Sequence, residues 1–150
     1  MVRALQADAR VTLAALAGEA GLSVSAVQAR VRRLEKRGVV TGYRASICAE
    51  AVGLPLAAFV EVSPLDPAQP DRAPELLKAF DEVEACHSVA GDAAYILCVR
   101  VAGPQQLERL IRQLQNTLGV RTRTTVVLQT YFADRPLPVA APGAEPPFPQ

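Results

Sequence analysis

Apolar positions in the first forty residues recur at helical spacing. Leu13 to Ala20 predicts a short helix. Thr12 stands before it, where a hydroxyl can accept a hydrogen bond from a free first-turn N–H. Gly21 follows it, where a left-handed residue ends a helix cheaply. Leu22 is placed to pack back as a staple, and Ser23 is placed to cap a second helix from about Val24 to Arg37. In that helix Val24, Val27, Val31 and Leu34 make one apolar stripe. Ser25, Ala29, Arg32, Arg33 and Lys36 fall on the far side. Gly38 stops the helix, and Val39 to Arg44 reads as a short β-hairpin, or wing, around Gly42.

Past residue 45 the period changes. Residues 46–54 read as a linker that can include a strand, and Leu56–Val62 reads as a strand. Pro64, Pro67 and Pro70 break the pattern, and Pro74 suits the first turn of a helix over Glu75–Phe80. Val83–Val89 and Tyr95–Val101 are two further strands around a loop centred on Asp92. That centring opposes Val83 to Val101, Glu84 to Arg100, Ala85 to Val99 and Cys86 to Cys98, matching charge with charge and apolar with apolar. Gln105–Leu118 is an amphipathic helix that buries Leu107, Leu110, Ile111, Leu114 and Leu118. Val120–Phe132 is a last strand, and after Arg135 the proline-rich sequence reads as a disordered tail.

The predicted fold is therefore α+β. A winged helix-turn-helix over residues 1–45 precedes a ferredoxin-like βαββαβ domain over residues 55–134, with a tail from 135 to 150. Helices on one face of a four-stranded sheet leave the other face bare. With 50% of residues apolar, that face is expected to pack against a second copy in an obligate dimer.

Charge divides along the same line. Residues 1–45 carry eight basic and three acidic side chains, and residues 46–150 carry eight basic and twelve acidic ones. A net +5 head on a −4 body gives the head, and not the body, a polyanion as partner. Cys48, Cys86 and Cys98 form no metal-ligand spacing and are expected to be reduced thiols of a cytoplasmic protein, Cys86 and Cys98 side by side. No metal or cofactor is implied, and no membrane segment stands out.

Two short helices joined at Gly21-Leu22-Ser23 have the spacing of a DNA reader. Such a helix needs small or polar residues near its start to reach base edges, and cations behind them for phosphates. Ser23, Ser25, Ala26, Gln28 and Ala29 meet the first need; Arg30, Arg32 and Arg33, with Arg37 beyond them, meet the second. Glutamine can pair with adenine through two hydrogen bonds, and alanine can touch a thymine methyl. On a lone helix these residues would read as a solvated face. The two caps, the glycine turn and the glycine stop together favour DNA.

The stretch DARVTLAALAGEAGLSVSAVQARVRRLEKRGVVTGYRA, residues 8–45, resembles the Lrp/AsnC (feast/famine) regulators, and among them the LrpA type. CHSVAGDAAYILCVRV, residues 86–101, resembles their sensor-domain loop. The resemblance implies dimers through the C-terminal (RAM/AsnC-type) sheet, often assembled into tetramers or octamers. It also implies an amino-acid effector near the Gly-Asp loop and regulation of transcription. It departs from the family in two places. Met1–Gln6 matches only the last turns of a fuller first helix, as a start codon assigned too late would produce. An acidic position common in the family is Ala94 here, which predicts weaker or broader amino-acid recognition.

Gly91, Asp92, Tyr95, Thr124 and Thr125 are the candidate effector residues. Backbone N–H groups around Gly91 would take a carboxylate and Asp92 an ammonium, with Thr124 and Thr125 lining the same cleft. Gly-Asp in a hairpin is more often only a turn. His87, the single histidine, is placed opposite Leu97 and reads as a packed or partly exposed strand residue. The rival from another class is a tetrapyrrole (sirohaem) decarboxylase of the same fold, which works through basic and histidine side chains in a cleft. A single histidine and an arginine-dense second helix count against it, so no enzymatic activity is expected.

Overall fold

The computed structural model describes residues 1–66 and 72–139. Pro67 and Pro70 therefore lie outside the described residues, as does the tail beyond Val139. The chain divides into two compact units. One comprises Met1–Ser46 together with the segment that begins at Phe132; the other is Ile47–Tyr131.

The first unit holds α1 (Val2–Ala7), α2 (Leu13–Ala20) and α3 (Val24–Lys36). Local chemistry sets the ends of α2 and α3. The Thr12 hydroxyl accepts from the Ala15 N–H at 3.1 Å, and the Ser23 hydroxyl accepts from the Ala26 N–H at 3.2 Å. Gly21 between them sits at φ +63°, which costs an L side chain about 1–2 kcal/mol. Leu16, Ala17, Val27 and Val31 form the core, and Leu22, Leu5, Val11 and Leu13 pack against it. Val24, expected in the stripe, is instead 48% exposed. It is the first residue of α3, and the buried contacts begin at Val27.

Two expectations on this unit are corrected. Residues 39–48 contain no strand, so the wing is an irregular segment and not a hairpin. It turns back through Val39 and Val40, whose N–H groups donate to the Leu34 carbonyl. The sequence at 135–139 is not loose either. The Arg3 guanidinium donates to the Val139 carbonyl at 3.0 and 2.6 Å, and the Gln6 amide donates to the Leu137 carbonyl at 3.4 Å.

The second unit opens with a 3₁₀ turn (Glu50–Val52), where the linker had room for a strand. It continues as β1 (Leu56–Pro64), α4 (Ala73–Leu77), β2 (Val83–Ser88), β3 (Tyr95–Val101), α5 (Pro104–Leu118) and β4 (Val120–Val126). The sheet order is β2-β3-β1-β4, with β3 and β4 both antiparallel to β1 and β2 antiparallel to β3. This is the ferredoxin-like arrangement.

Strand alternation sorts the side chains. Ala58, Val60 and Val62 of β1 and Tyr95, Leu97, Val99 and Val101 of β3 are buried together with Leu107, Leu110 and Leu114 of α5. Ala57, Phe59, Glu61 and Ser63 of β1 point the other way, with Ile96, Cys98 and Arg100 of β3. On this open face Phe59 is 46% exposed.

The β2–β3 register is one step from the expected one. Ala85 pairs with Cys98, Cys86 with Leu97 and His87 with Ile96, while Val83 pairs with Val99. A bulge between Val83 and Ala85 shifts the ladder again, so that Val83 lies two steps from its expected partner Val101. Cys86 and Cys98 therefore point to opposite faces and are not neighbours in the ladder. The Glu84–Arg100 ion pair forms nonetheless, at 2.6 Å, across the bulge. The last strand stops at Val126, short of the expected Phe132. No helix among the described residues is long and apolar enough to cross a membrane.

Candidate functional site

The first candidate surface is the outer face of α3. Val27 and Val31 anchor the helix inward, fully or nearly fully buried. Ser23, Ser25, Gln28, Ala29, Arg30, Arg32 and Arg33 are exposed, and Ala26 is half-buried. Ser23 is engaged in the cap, and its hydroxyl also lies 3.1 Å from that of Ser25. Glu35, the one acid of the helix, accepts a hydrogen bond from the Tyr43 hydroxyl at 2.9 Å. That bond and the carboxylate charge raise the tyrosine pKa above its ordinary value, with a contribution from burial. Arg33 and Lys36 lie in the last turn, where the helix dipole favours cations. Nothing on this face is apolar enough to seek a protein core, and its cations stand behind the small residues of the first turns.

The second candidate is a groove of about 310 Å³ on the open side of the sheet. Glu61, Ser63, Asp92, Ala93, Arg121, Thr122 and Arg123 line it. The β1–β4 register sets Ser63 opposite Arg121 and Glu61 opposite Arg123. Arg123 and Glu61 form a two-pronged pair, Nε to Oε2 at 2.9 Å and Nη2 to Oε1 at 2.7 Å. This bond and its charge raise the arginine pKa further, against a small opposing effect of desolvation, and the nearby charge of Asp92 adds to it. The loop closes over the end of β1. The Ala94 N–H donates to the Val62 carbonyl at 3.0 Å, and the Ser63 hydroxyl donates to the Asp92 carbonyl at 3.4 Å.

Of the effector residues expected from sequence, Asp92 lines this groove and Gly91 adjoins it, exposed. Tyr95 does not: it is 7% exposed and belongs to the core under the helices. Thr124 and Thr125 cannot share one cleft, because adjacent strand residues point to opposite faces. Thr124 pairs with Val60 on the helix side, and Thr125 pairs with Phe59 on the open face. The residues that reasoning from sequence missed are Glu61, Ser63, Arg121 and Arg123. Their signal was available: Arg121 and Arg123 alternate along a strand, as charges on a single face must. His87 is exposed on the edge strand and is not part of the groove.

Comparison with known proteins agrees with both halves. Residues 1–41 match the winged helix-turn-helix DNA-binding family, and residues 57–137 match the Lrp/AsnC ligand binding domain. The chain is 58% identical over 135 residues to the HTH-type transcriptional regulator LrpA of Mycobacterium tuberculosis, covering 90% of each. It is 37% identical over 130 residues to the leucine-responsive regulatory protein of Haemophilus influenzae, covering 83% of this chain and 78% of that protein. Among solved structures, a feast or famine regulatory protein from M. tuberculosis complexed with L-methionine superposes with a TM-score of 0.88 at 58% identity, covering 90% of this chain and 92% of that one. By the match over the greater part of its length and the identity to LrpA, this chain belongs to the Lrp/AsnC family of transcriptional regulators.

Proposed function

We propose that this protein binds specific DNA sequences through α3 and that an amino acid, held by the second unit, changes that affinity. It acts by binding and not by catalysis, in the cytoplasm, as a dimer joined through the open sheet face. The observation that carries the reading is the outer face of α3, where Ser25, Gln28 and Ala29 are exposed ahead of Arg32 and Arg33 on a helix capped at its start. Small and amide side chains suit base edges, and guanidinium groups suit phosphates. The amino-acid reading is supported by the charged groove and by the relative solved with L-methionine.

The test is selection of duplexes from a random pool, followed by binding titrations at rising salt with and without each of the twenty amino acids. One sequence should be enriched, and log affinity should fall linearly with log salt concentration. At least one amino acid should shift the affinity by about fivefold, a coupling of about 1 kcal/mol. Binding blind to sequence sinks the first half of the proposal, and indifference to every amino acid sinks the second.

A further inference from the structure

The DNA-binding unit takes in a segment from the far end of the chain. Residues from Phe132 onward follow the sheet in sequence, yet their contacts group them with Met1–Ser46. The first unit is therefore joined to the second by two covalent connections, at Ser46–Ile47 and at Tyr131–Phe132.

The sequence prepares this segment for docking. Asp134 stands at φ +51°, the only non-glycine among the described residues in the left-handed region, which short polar side chains tolerate best. The Arg135 guanidinium lies 3.8 Å from the centre of the Phe132 ring, a cation–π contact that closes the turn. Pro136 and Pro138 fix their own φ angles and hold Arg135 and Leu137 extended. Little conformational freedom is left to lose when the carbonyls beyond the turn meet a donor. The donors stand on α1. Arg3 Nε and Nη2 converge on the Val139 carbonyl at 3.0 and 2.6 Å, and Gln6 Nε2 donates to the Leu137 carbonyl at 3.4 Å.

α1 needs such support. It has six residues, no side-chain cap and no buried residue. Helices shorter than about 12 residues are marginal in water by themselves. Met1, Ala4 and Leu5 pack against the core formed by Leu16, Ala17, Val27 and Val31. Helical periodicity sets Arg3 and Gln6 on the opposite side. We propose that residues 132–139 are a strap across that side, which keeps α1 ordered and so completes the platform that presents α3.

The experiment is hydrogen exchange, read by mass spectrometry, on the full chain, on Arg3→Met, and on chains ending at Ala141 and at Asp134. Arg3 is exposed, and methionine keeps its length and helix propensity without its donors. Protection over residues 1–8, corrected for the sequence of each variant, is the readout; β1 and β3 report whether the rest of the fold holds. Arg3→Met should lower protection over residues 1–8 at least about threefold, as loss of a charge-assisted hydrogen bond requires, and leave β1 and β3 unchanged. The chain ending at Asp134 should lose at least as much, and the chain ending at Ala141 should match the wild type. In the chain ending at Asp134, Arg3→Met should have no further effect, because its partner is gone. An equal loss there would show that Arg3 acts without the strap. A loss in the chain ending at Ala141 would put the support outside residues 132–139. Unchanged protection in full-length Arg3→Met, or in the chain ending at Asp134, would equally overturn the proposal. If the shorter chain does not fold, full-length Arg3→Met still decides.

Discussion

The Tyr43 hydroxyl donates to Glu35 Oε1 at 2.9 Å, tying the irregular wing to the last turns of the helix that carries the cations. The bond holds the phenol in its neutral form, so the tyrosine pKa is raised. A raised acid stabilises the fold below the unfolded value of about 10 and loses that contribution as pH rises through the folded value. The difference between ultraviolet titrations of the wild type and Tyr43→Phe should therefore have a midpoint above about 10. Because the pair is on the surface, Tyr43→Phe should change unfolding free energy by no more than about 0.5 kcal/mol. A midpoint at or below the ordinary value would show that the bond does not persist in solution.

On DNA, Gln28 and Arg33 should behave differently. Gln28→Ala should lose about 1–3 kcal/mol of preference at a single base pair and little non-specific affinity. Arg33→Ala should weaken all sequences alike and reduce the salt slope by about one. Unchanged base preference in Gln28→Ala, read by competition among single-base variants of the selected site, would remove α3 from the major groove.

Phe59 lies at the centre of the open sheet face, paired with Cys98 on one side and Thr125 on the other, and is 46% exposed. Placing a charge there by Phe59→Glu should raise the dimer dissociation constant at least about tenfold, or about 1.4 kcal/mol. Sedimentation across a concentration series reads this directly. A wild type that sediments as a monomer at micromolar concentration would contradict the dimer.

Two glycines separate conformation from recognition. Gly21→Ala forces a side chain into the left-handed region at φ +63° and should destabilise the first unit by about 1–2 kcal/mol. Gly91 is not left-handed, and a Cβ built on it meets nothing within 4 Å. Gly91→Ala should be neutral or stabilising by up to about 1 kcal/mol in denaturant melts. Loss of amino-acid binding in that variant would then report on ligand approach and not on folding.

Cys98 is half-buried on the open face, and desolvation, then the charge of Glu84, raises its thiol pKa. At mildly alkaline pH it should react several-fold more slowly with iodoacetamide than the exposed Cys48, since the thiolate is the reacting form. Denaturation should bring the two rates together. Equal rates in the folded protein would mean that the open face leaves Cys98 as accessible as Cys48.

The parts of the fold that were legible in the sequence are those whose causes are local. Thr12, Gly21 and Ser23 act within four residues of themselves, and the structure realises all three. The stripes of α3 and α5 were equally plain, except at Val24, which is exposed at the start of its helix. The β2–β3 register failed because charge matching cannot distinguish a straight ladder from one bulged at Glu84; both bring that acid to Arg100. The groove was half legible. Asp92 announced itself through a turn motif, but Ser63 and Arg121 meet only when β1 and β4 pair across the intervening strands and helices. Thr124 and Thr125 drew notice as polar neighbours, although strand parity alone forbids them a common cleft.

The bulge also decides how the sheet can grow. A strand at the rim of a sheet offers unpaired N–H and C=O groups to any other chain that brings a matching strand. On β2 that offer is interrupted between Val83 and Ala85, leaving only a short regular run from Ala85 to Ser88 for a visitor to pair with. On the opposite rim, β4 carries Arg121, an exposed cation that repels its own copy. Strand-by-strand addition would extend without limit, whereas a two-fold contact between one face of each of two copies is satisfied once made. An irregularity of one residue thus makes β2 a poor template for open-ended strand addition.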